Sequence, residues 1–272
     1  MPPGAALAHD ALRRAVQLCE SASYRHMKLP VLLIATLLAT PQLRADPIKF
    51  ESGDTQATLI ELFTSEGCSS CPPADAWMSK LKSNSDLWKR IVPVVFHVDY
   101  WNSLGWPDRF ATEANTPRQR RYALAWRIDS VYTPGFVLNG QEWRDWFQRG
   151  ALPEPSSAKV GKIAVTLDDR KADVIFVPSV GGLKALQVEM AFLGGNLESN
   201  VTRGENTGRR IRHDFTVLQY LSAPLRPAGG RFTATVPLPP RTGDAPVALA
   251  AWVTTGDAQP PIQATGGWLT RK

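Results

Sequence analysis

Residues 64–75, with the sequence TSEGCSSCPPAD, place two of the three cysteines of this 272-residue chain three positions apart. The apolar run before them predicts a buried strand over residues 58–63. The two prolines after the second cysteine are tolerated only in the first turn of a helix, so a helix is predicted to begin there. The partial positive charge and free N–H groups of a helix start lower the pKa of a nearby thiol. We therefore interpret Cys68 and Cys71 as a thiol/disulfide redox pair.

Residues 1–45 have the layout of a secretory leader. A basic residue precedes an apolar run over residues 29–39, and small residues follow near position 45. The apolar run is too short to span a bilayer comfortably. Both Met1 and Met27 remain candidate start residues. The sequence predicts a periplasmic or secreted protein that has no stable membrane span after signal removal and keeps the cysteine pair as its only thiols.

The composition is that of a globular protein, with 43% hydrophobic and 21% charged residues. The formal charge is +6, and the predicted leader holds five Lys or Arg against two acidic residues, which leaves about +3 for the rest. The basic residues are scattered among acidic ones, and no basic run with interleaved aromatic residues is present. We therefore expect no nucleic-acid partner.

The first half after the leader alternates strand and helix patterns. A strand over residues 92–98 is apolar almost throughout, as a central strand covered on both faces would be. Thr116 and Pro117 predict the start of a second helix, and residues 131–140 predict a third strand that ends in an Asn-Gly turn. The order β-α-β-α-β predicts parallel strands with helices on the sheet faces, and hence an α/β domain over residues 46–152.

The second half has a different pattern. A proline-rich break over residues 152–157 predicts a domain boundary. Short strands at sandwich-like spacing then predict a smaller antiparallel β-sandwich-like domain over residues 156–272. The predicted strands cover residues 162–167, 172–177, 186–193, 211–218, 231–236 and 247–253.

The context of the cysteine pair resembles the thioredoxin fold. The pair follows a strand at a helix start, and Thr133 and Pro134 lead into the third strand. The resemblance implies that Pro134 forms a cis peptide bond beside the cysteines. It also implies that Thr133 presents its backbone to an incoming peptide.

More narrowly, residues 61–75, 96–101 and 131–134 resemble a secreted thioredoxin-like family classified only as a domain of unknown function. The resemblance covers most of the mature chain. The sequence departs from ordinary thioredoxins by having Gly67 before the first cysteine, two serines between the cysteines and proline directly after the second. Because residues at these positions tune the reduction potential, the direction of electron flow remains open.

The predicted function is that of an exported thiol:disulfide oxidoreductase acting on protein thiols or disulfides, or on an unidentified redox partner. Cys68 would form the mixed disulfide as the usually exposed member of the pair, and Cys71 would resolve it. The alternative is a non-catalytic binding module in which Cys68 and Cys71 form a permanent disulfide. No cofactor is predicted. A zinc site built on the pair needs more nearby thiols or histidines than the sequence offers, so no metal site is predicted either.

His97 and Asp99 alternate with a valine near the end of the second strand, and both are candidates for proton transfer in deprotonating Cys71. The alternative is a hydrogen-bonded strand end. His213, in the second half, is interpreted as a structural histidine. Glu66 is interpreted as a turn carboxylate that faces solvent.

Trp101, Trp106 and Tyr132 lie on segments expected around the cysteine pair. They would form an apolar rim for a peptide, or they would pack in the core. Three arginines at the start of the second predicted helix indicate a solvated face. They are Arg118, Arg120 and Arg121.

Overall fold

The computed structural model describes residues 46–148, 150–240, 244–256 and 259–269. The predicted leader, residues 1–45, lies outside the described residues. From residue 45 onward the chain forms one compact unit. None of the helices in the described ranges has the length and apolar character needed to cross a membrane.

Within the described ranges the protein contains fifteen strands, two α-helices and two short 3₁₀ helices, the latter at Leu81–Ser83 and Asn102–Leu104. The prediction of an α/β thioredoxin-like fold is therefore wrong, because most of the regular structure is strand. The α-helices are α1 (Pro72–Lys80) and α2 (Asn115–Ala125). The strands are β1 (Ile48–Glu51), β2 (Thr58–Thr64), β3 (Ile91–His97), β4 (Gly135–Leu138), β5 (Gln141–Glu142), β6 (Gly161–Leu167), β7 (Lys171–Pro178), β8 (Gln187–Gly194), β9 (Leu197–Asn200), β10 (Arg210–His213), β11 (Thr216–Pro224), β12 (Arg226–Ala228), β13 (Arg231–Pro237), β14 (Ala248–Thr254) and β15 (Gln263–Trp268).

The strands form three sheets. The largest has eight strands in the order β15-β14-β8-β11-β3-β2-β4-β5. The central strand β3 is parallel to both of its neighbours, β2 and β11. All other strand pairs of this sheet are antiparallel. A second sheet, in the order β1-β6-β7-β13-β12, is antiparallel throughout, and β9 and β10 form a separate hairpin.

The strand pairing corrects the sequence prediction in two respects. Strand β4 is antiparallel to β2 rather than parallel to it. Strands from both predicted domains also share the largest sheet, because β11 pairs with β3 through the Val95 N–H and the Phe215 carbonyl oxygen, 2.8 Å apart. A strand pattern identifies a segment as a strand but does not identify its neighbour.

The two large sheets pack face to face over part of their area. Val188, Met190 and Phe192 of β8 belong to a core cluster with residues of the five-stranded sheet, while Ala191 and Leu193 belong to the cluster on the helix side. This alternation follows the two-residue period of a strand. Strand β8 therefore contributes to both cores.

A buried charge cluster connects α2 to the largest sheet. The Arg118 guanidinium donates to Glu61 of β2 at 2.7 Å and to Glu189 of β8 at 2.9 Å. The expectation that Arg118 belongs to a solvated face is wrong, since its side chain is only 2% exposed. Its guanidinium carbon lies within 5.6 Å of four ring centroids. The rings belong to Phe96, Tyr122, Tyr220 and Trp252.

Candidate functional site

The cysteine pair lies in the short loop between β2 and α1. The Cys68 N–H donates to the Ser65 carbonyl oxygen at 3.2 Å, and the Cys71 N–H donates to the Cys68 carbonyl oxygen at 3.2 Å. Cys71 is the N-cap residue of α1, and the prolines occupy the first helical positions. The local sequence thus produces the helix start that was predicted for it. Both cysteines are free thiols and both are buried.

Gly67 allows the loop to pass close to the segment that follows β3. A Cβ atom at this position would lie 3.0 Å from Trp101 Cβ and 3.3 Å from the Trp101 carbonyl oxygen. Such contacts are too close for most side chains, so glycine permits this packing. Trp101 is therefore held against the cysteine loop, in the region where the sequence predicted it.

The two thiols have opposite electrostatic environments. A hydrogen bond from Cys71, assisted by Ser70 and Thr133 and opposed by burial, lowers the pKa of Cys68 to about 6. Ser70 Oγ is 3.2 Å from Cys68 Sγ. Burial is the main cause that raises the pKa of Cys71 well above its usual value, and the neighbouring Cys68 raises it further. Near neutral pH, Cys68 is therefore the thiolate and Cys71 the thiol.

Thr133 and Pro134 lie beside the pair, and the peptide bond between them is cis. The Thr133 carbonyl oxygen is 3.7 Å from Cys68 Sγ. Gln119 of α2 donates to the Tyr132 carbonyl oxygen at 2.6 Å, which anchors the same segment to the helix. The placement agrees with the sequence analysis, while a role for these residues in a reaction stays a prediction.

The structure separates the two residues proposed for proton transfer. His97 is fully buried at the end of β3, and its Nδ1 is 2.7 Å from Asp108 Oδ2. Asp99 is partly exposed beyond the strand end and accepts a hydrogen bond from Thr116 Oγ1. His97 therefore belongs to a buried polar cluster, and Asp99 belongs to the connection with α2.

Glu66 also belongs to the buried cluster. It is 1% exposed, so the expectation that it faces solvent is wrong. Its Oε1 is 2.9 Å from His213 Nε2, and its Oε2 accepts a hydrogen bond from Trp106 Nε1 at 2.7 Å. Burial raises the pKa of Glu66, but the hydrogen bonds outweigh it and hold this pKa below its usual value. Trp106 is thus fixed by a buried carboxylate.

The segment between β9 and β10 covers the cysteine loop. Asn206 Nδ2 donates to the carbonyl oxygens of Glu66 and Cys68 at 2.8 and 2.9 Å. Glu205 accepts a hydrogen bond from the Ser69 N–H at 2.9 Å. The side chain of Cys68 is only 1% exposed, although the sequence analysis expected the exposed cysteine of the pair at this position. The segment over residues 201–209 is thus hydrogen-bonded to the backbone of the loop that carries Cys68.

Residues 59–254 match the model of a family described as protein of unknown function, DUF1223. The chain belongs to the DUF1223 family. No curated protein matches this sequence.

Two solved structures are similar to this DUF1223 chain. A crystal structure of a protein from Agrobacterium tumefaciens is 24% identical with a TM-score of 0.54, and the match covers 79% of this chain and 95% of that one. HBP35 of Porphyromonas gingivalis is 18% identical with a TM-score of 0.50, over 79% of this chain and 76% of that one. At these identities the likeness concerns the fold alone.

Two residues of this DUF1223 chain that the sequence analysis did not select as site residues complete the buried cluster. Asp75 lies four residues after Cys71 on the same helix face, and burial raises its pKa to about 7. That spacing is a signal that sequence reasoning could have used. His213 is brought to His97, with ring centroids 4.8 Å apart, by the pairing of β11 with β3. No local pattern predicts that long-range pairing.

Tyr132, the remaining candidate, lies at the surface of this family member. It is 38% exposed, and its hydroxyl donates to Glu142 at 2.6 Å. Together with Trp143, Arg144 and Trp146 it lines a cleft of about 370 Å³. An aromatic surface therefore lies on the chain segments that flank the cis-proline.

Proposed function

We propose that this protein is an exported thiol:disulfide oxidoreductase that exchanges electrons with the thiols or disulfides of other proteins. The observation that supports the proposal most directly is the asymmetry of the pair, in which Cys68 has a pKa of about 6 and the pKa of Cys71 is raised. A thiolate is the attacking and leaving species in disulfide exchange, whereas a protonated buried thiol waits as the resolving group. The periplasmic or secreted location remains part of this proposal.

The low pKa of Cys68 favours the direction in which the pair oxidises its substrate. Stabilising the thiolate stabilises the reduced pair, and a thiol of low pKa is the better leaving group. The Ser70 hydroxyl, 3.2 Å from Cys68 Sγ, contributes to this stabilisation. The direction that the sequence left open thus receives a physical argument from the structure of the loop.

Disulfide exchange with a substrate would proceed through a mixed disulfide at Cys68. A substrate thiolate attacks Sγ of Cys68 in the oxidised pair, the bond between Cys68 and Cys71 breaks, and Cys71 leaves and takes up a proton. A second substrate thiolate attacks the substrate sulfur of the mixed disulfide and releases Cys68 as a thiolate. Two electrons pass from the substrate thiols to the pair, and a substrate disulfide forms. Another protein disulfide then oxidises the pair for the next cycle.

Trapping of mixed disulfides tests the proposal. A reduced, unfolded model protein is incubated with oxidised glutathione and with the Cys71→Ser variant, which we expect to accumulate a mixed disulfide at Cys68. Cys68→Ser should trap far less, and Cys19→Ser, which alters the cysteine outside the pair, should behave as the unmodified chain. If neither pair variant traps substrate, and the thiol count is equal after dithiothreitol and oxidised glutathione, the proposal is wrong.

The competing hypothesis is a non-catalytic binding module with a permanent disulfide between Cys68 and Cys71. The observation that favours it is the burial of Cys68, which is 1% exposed in a loop that Asn206 and Glu205 hold through backbone hydrogen bonds. A permanent disulfide resists dithiothreitol in the folded protein and shows no exchange with glutathione. The reduction potential of the pair, measured in glutathione buffers, therefore separates the two hypotheses.

A further inference from the structure

The buried polar cluster next to the cysteine loop contains three side chains that could bind a metal ion. One ligand atom from each of Asp75, His97 and His213 lies within 4.8 Å of the other two. Their side chains are at most 5% exposed. Among the described residues, Asp75 Oδ1, His97 Nε2 and His213 Nδ1 have no hydrogen-bond partner. Buried polar atoms without partners are rare in folded proteins and call for an explanation.

In each of the three side chains, the other polar atom already has a partner, so only the atom without a partner is available to a ligand. His97 Nδ1 lies against Asp108, His213 Nε2 lies against Glu66, and Asp75 Oδ2 accepts a hydrogen bond from Thr64 at 3.1 Å. A carboxylate that accepts one ring N–H of a neutral histidine leaves a lone pair on the other ring nitrogen. Three acceptor atoms without partners therefore lie in one buried cluster, where a cation or a shared proton would relieve their repulsion.

The carboxylate partners of the two histidines are also typical of a metal site. Histidine ligands commonly donate their second N–H to a carboxylate, which orients the ring and increases its basicity. Here both histidines have such a partner, Asp108 and Glu66. With Asp75, three buried carboxylates lie in or next to the cluster, and Asp108 and Glu66 contact His97 and His213, respectively. The cluster thus has negative charge available to neutralise a dication.

We propose that Asp75, His97 and His213 form a binding site for a divalent first-row transition-metal ion, with Glu66 and Asp108 orienting the histidines. Two nitrogens and one carboxylate oxygen suit zinc and its neighbours, whereas magnesium and calcium prefer oxygen ligands. Three ligand atoms bound to one Zn²⁺ are about 3.4 Å apart. The ligand atoms lie within 4.8 Å of one another, so metal binding would draw them closer together. The site is distinct from the cysteine pair, so it does not rest on the proposed redox function.

Metal binding by a thiol-free protein tests the site. The chain with Cys19, Cys68 and Cys71 all replaced by serine is dialysed against Zn²⁺ and analysed for bound metal. We expect one Zn²⁺ per chain. With Co²⁺ as the probe we expect visible d–d absorption without a thiolate-to-metal charge-transfer band. If the thiol-free protein binds no Zn²⁺, or if binding appears only when the cysteines are present, the proposal is overturned.

Variants of the thiol-free protein locate the ion. His213→Gln and Asp75→Asn should weaken Zn²⁺ binding by more than about 100-fold, and Glu66→Gln should weaken it by about 10- to 100-fold. The matched control is His26→Gln, a histidine in the predicted leader, which should bind as the parent does. Circular dichroism checks that each variant is folded. Loss of binding in the His26 variant, with retention in folded His213→Gln, would overturn the assignment.

Discussion

Cys68 owes its low pKa to neighbours that all follow it in the sequence. The first of these is Cys71, and the next is the Ser70 hydroxyl, 3.2 Å from Cys68 Sγ. Because these groups act through hydrogen bonds to the sulfur, the stabilisation belongs to the thiolate and disappears when the thiol is protonated. The chemistry of the pair is therefore set by single atoms near one sulfur.

The ionisation of Cys68 should make two properties of the reduced protein depend on pH, namely the thiolate absorbance and the free energy of unfolding. In the reduced protein, we expect the ultraviolet absorbance of the thiolate to rise with a midpoint near pH 6, because the pKa is lowered to about 6. Since this pKa is below that of an ordinary thiol, about 8.5, the free energy of unfolding should rise with pH between about 6 and 8.5. Cys68→Ser should abolish both effects. A midpoint near 8.5, the value of an unperturbed thiol, would contradict the environment described for Cys68.

The serines between the cysteines provide a matched pair of variants. Ser70→Ala removes a hydrogen bond to a charged sulfur, so we expect the pKa of Cys68 to rise by about one unit and the reduction potential at pH 7 to fall by about 20 mV. Ser69 contacts Glu205 through its N–H, whereas the hydroxyl next to the sulfur is that of Ser70. Ser69→Ala should therefore change neither quantity. Equal effects of the two variants would show that Ser70 has no special role.

The elements differ in how far the sequence could predict them. Strands β2 and β3 and helix α1 were predicted within a few residues, because their apolar runs and the prolines after Cys71 are local signals. The segment predicted as one strand over residues 211–218 is divided between β10 and β11, and strands β1, β9, β12 and β15 were not predicted. The helical spacing of Asp75 from Cys71 could have identified Asp75 as a site residue. The contact between His213 and Glu66 could not have been predicted in this way, because only the pairing of distant strands brings these residues together.

The segment over residues 201–209 is hydrogen-bonded to the cysteine loop through Asn206. Asn206→Ala removes two hydrogen bonds to the cysteine loop, so we expect a small alkylating reagent to modify Cys68 about five- to thirtyfold faster. The thiolate titration should stay unchanged, because Asn206 contacts backbone oxygens and not the sulfur. Asn200→Ala, at an exposed position on β9, is the control. An unchanged alkylation rate would show that this segment does not limit access.

Helix α2 is bound to the sheet by the buried charge of Arg118. Arg118→Met leaves Glu61 and Glu189 buried without their cation, so we expect a loss of about 3–5 kcal/mol in the free energy of unfolding. Arg120→Met, at an exposed position of the same helix, should change it by less than about 0.5 kcal/mol. Urea unfolding measures both. Similar losses in the two variants would contradict a special role for the buried cluster.

At the scale of the whole molecule, one sheet combines strands from both halves of the chain. Strand β3 has β2 on one side and β11 on the other, and β8 contributes to both cores. We expect a single urea transition that coincides by tryptophan fluorescence and circular dichroism, and we expect residues 46–152 alone not to fold. Two separate transitions, or a folded fragment, would instead support the two domains that the sequence indicated.

The pairing of β3 with β11 also has a consequence for the order in which the chain acquires its structure. One parallel partner of β3, strand β11, is made more than a hundred residues later than β3 itself, and the segment bonded to the cysteine loop through Asn206 is made at nearly the same time as β11. Contacts between such distant segments close large loops and form slowly. During synthesis both thiols therefore pass through a period in which they are uncovered. Any oxidant that meets the growing chain reaches Cys68 and Cys71 before the finished fold restricts access to them.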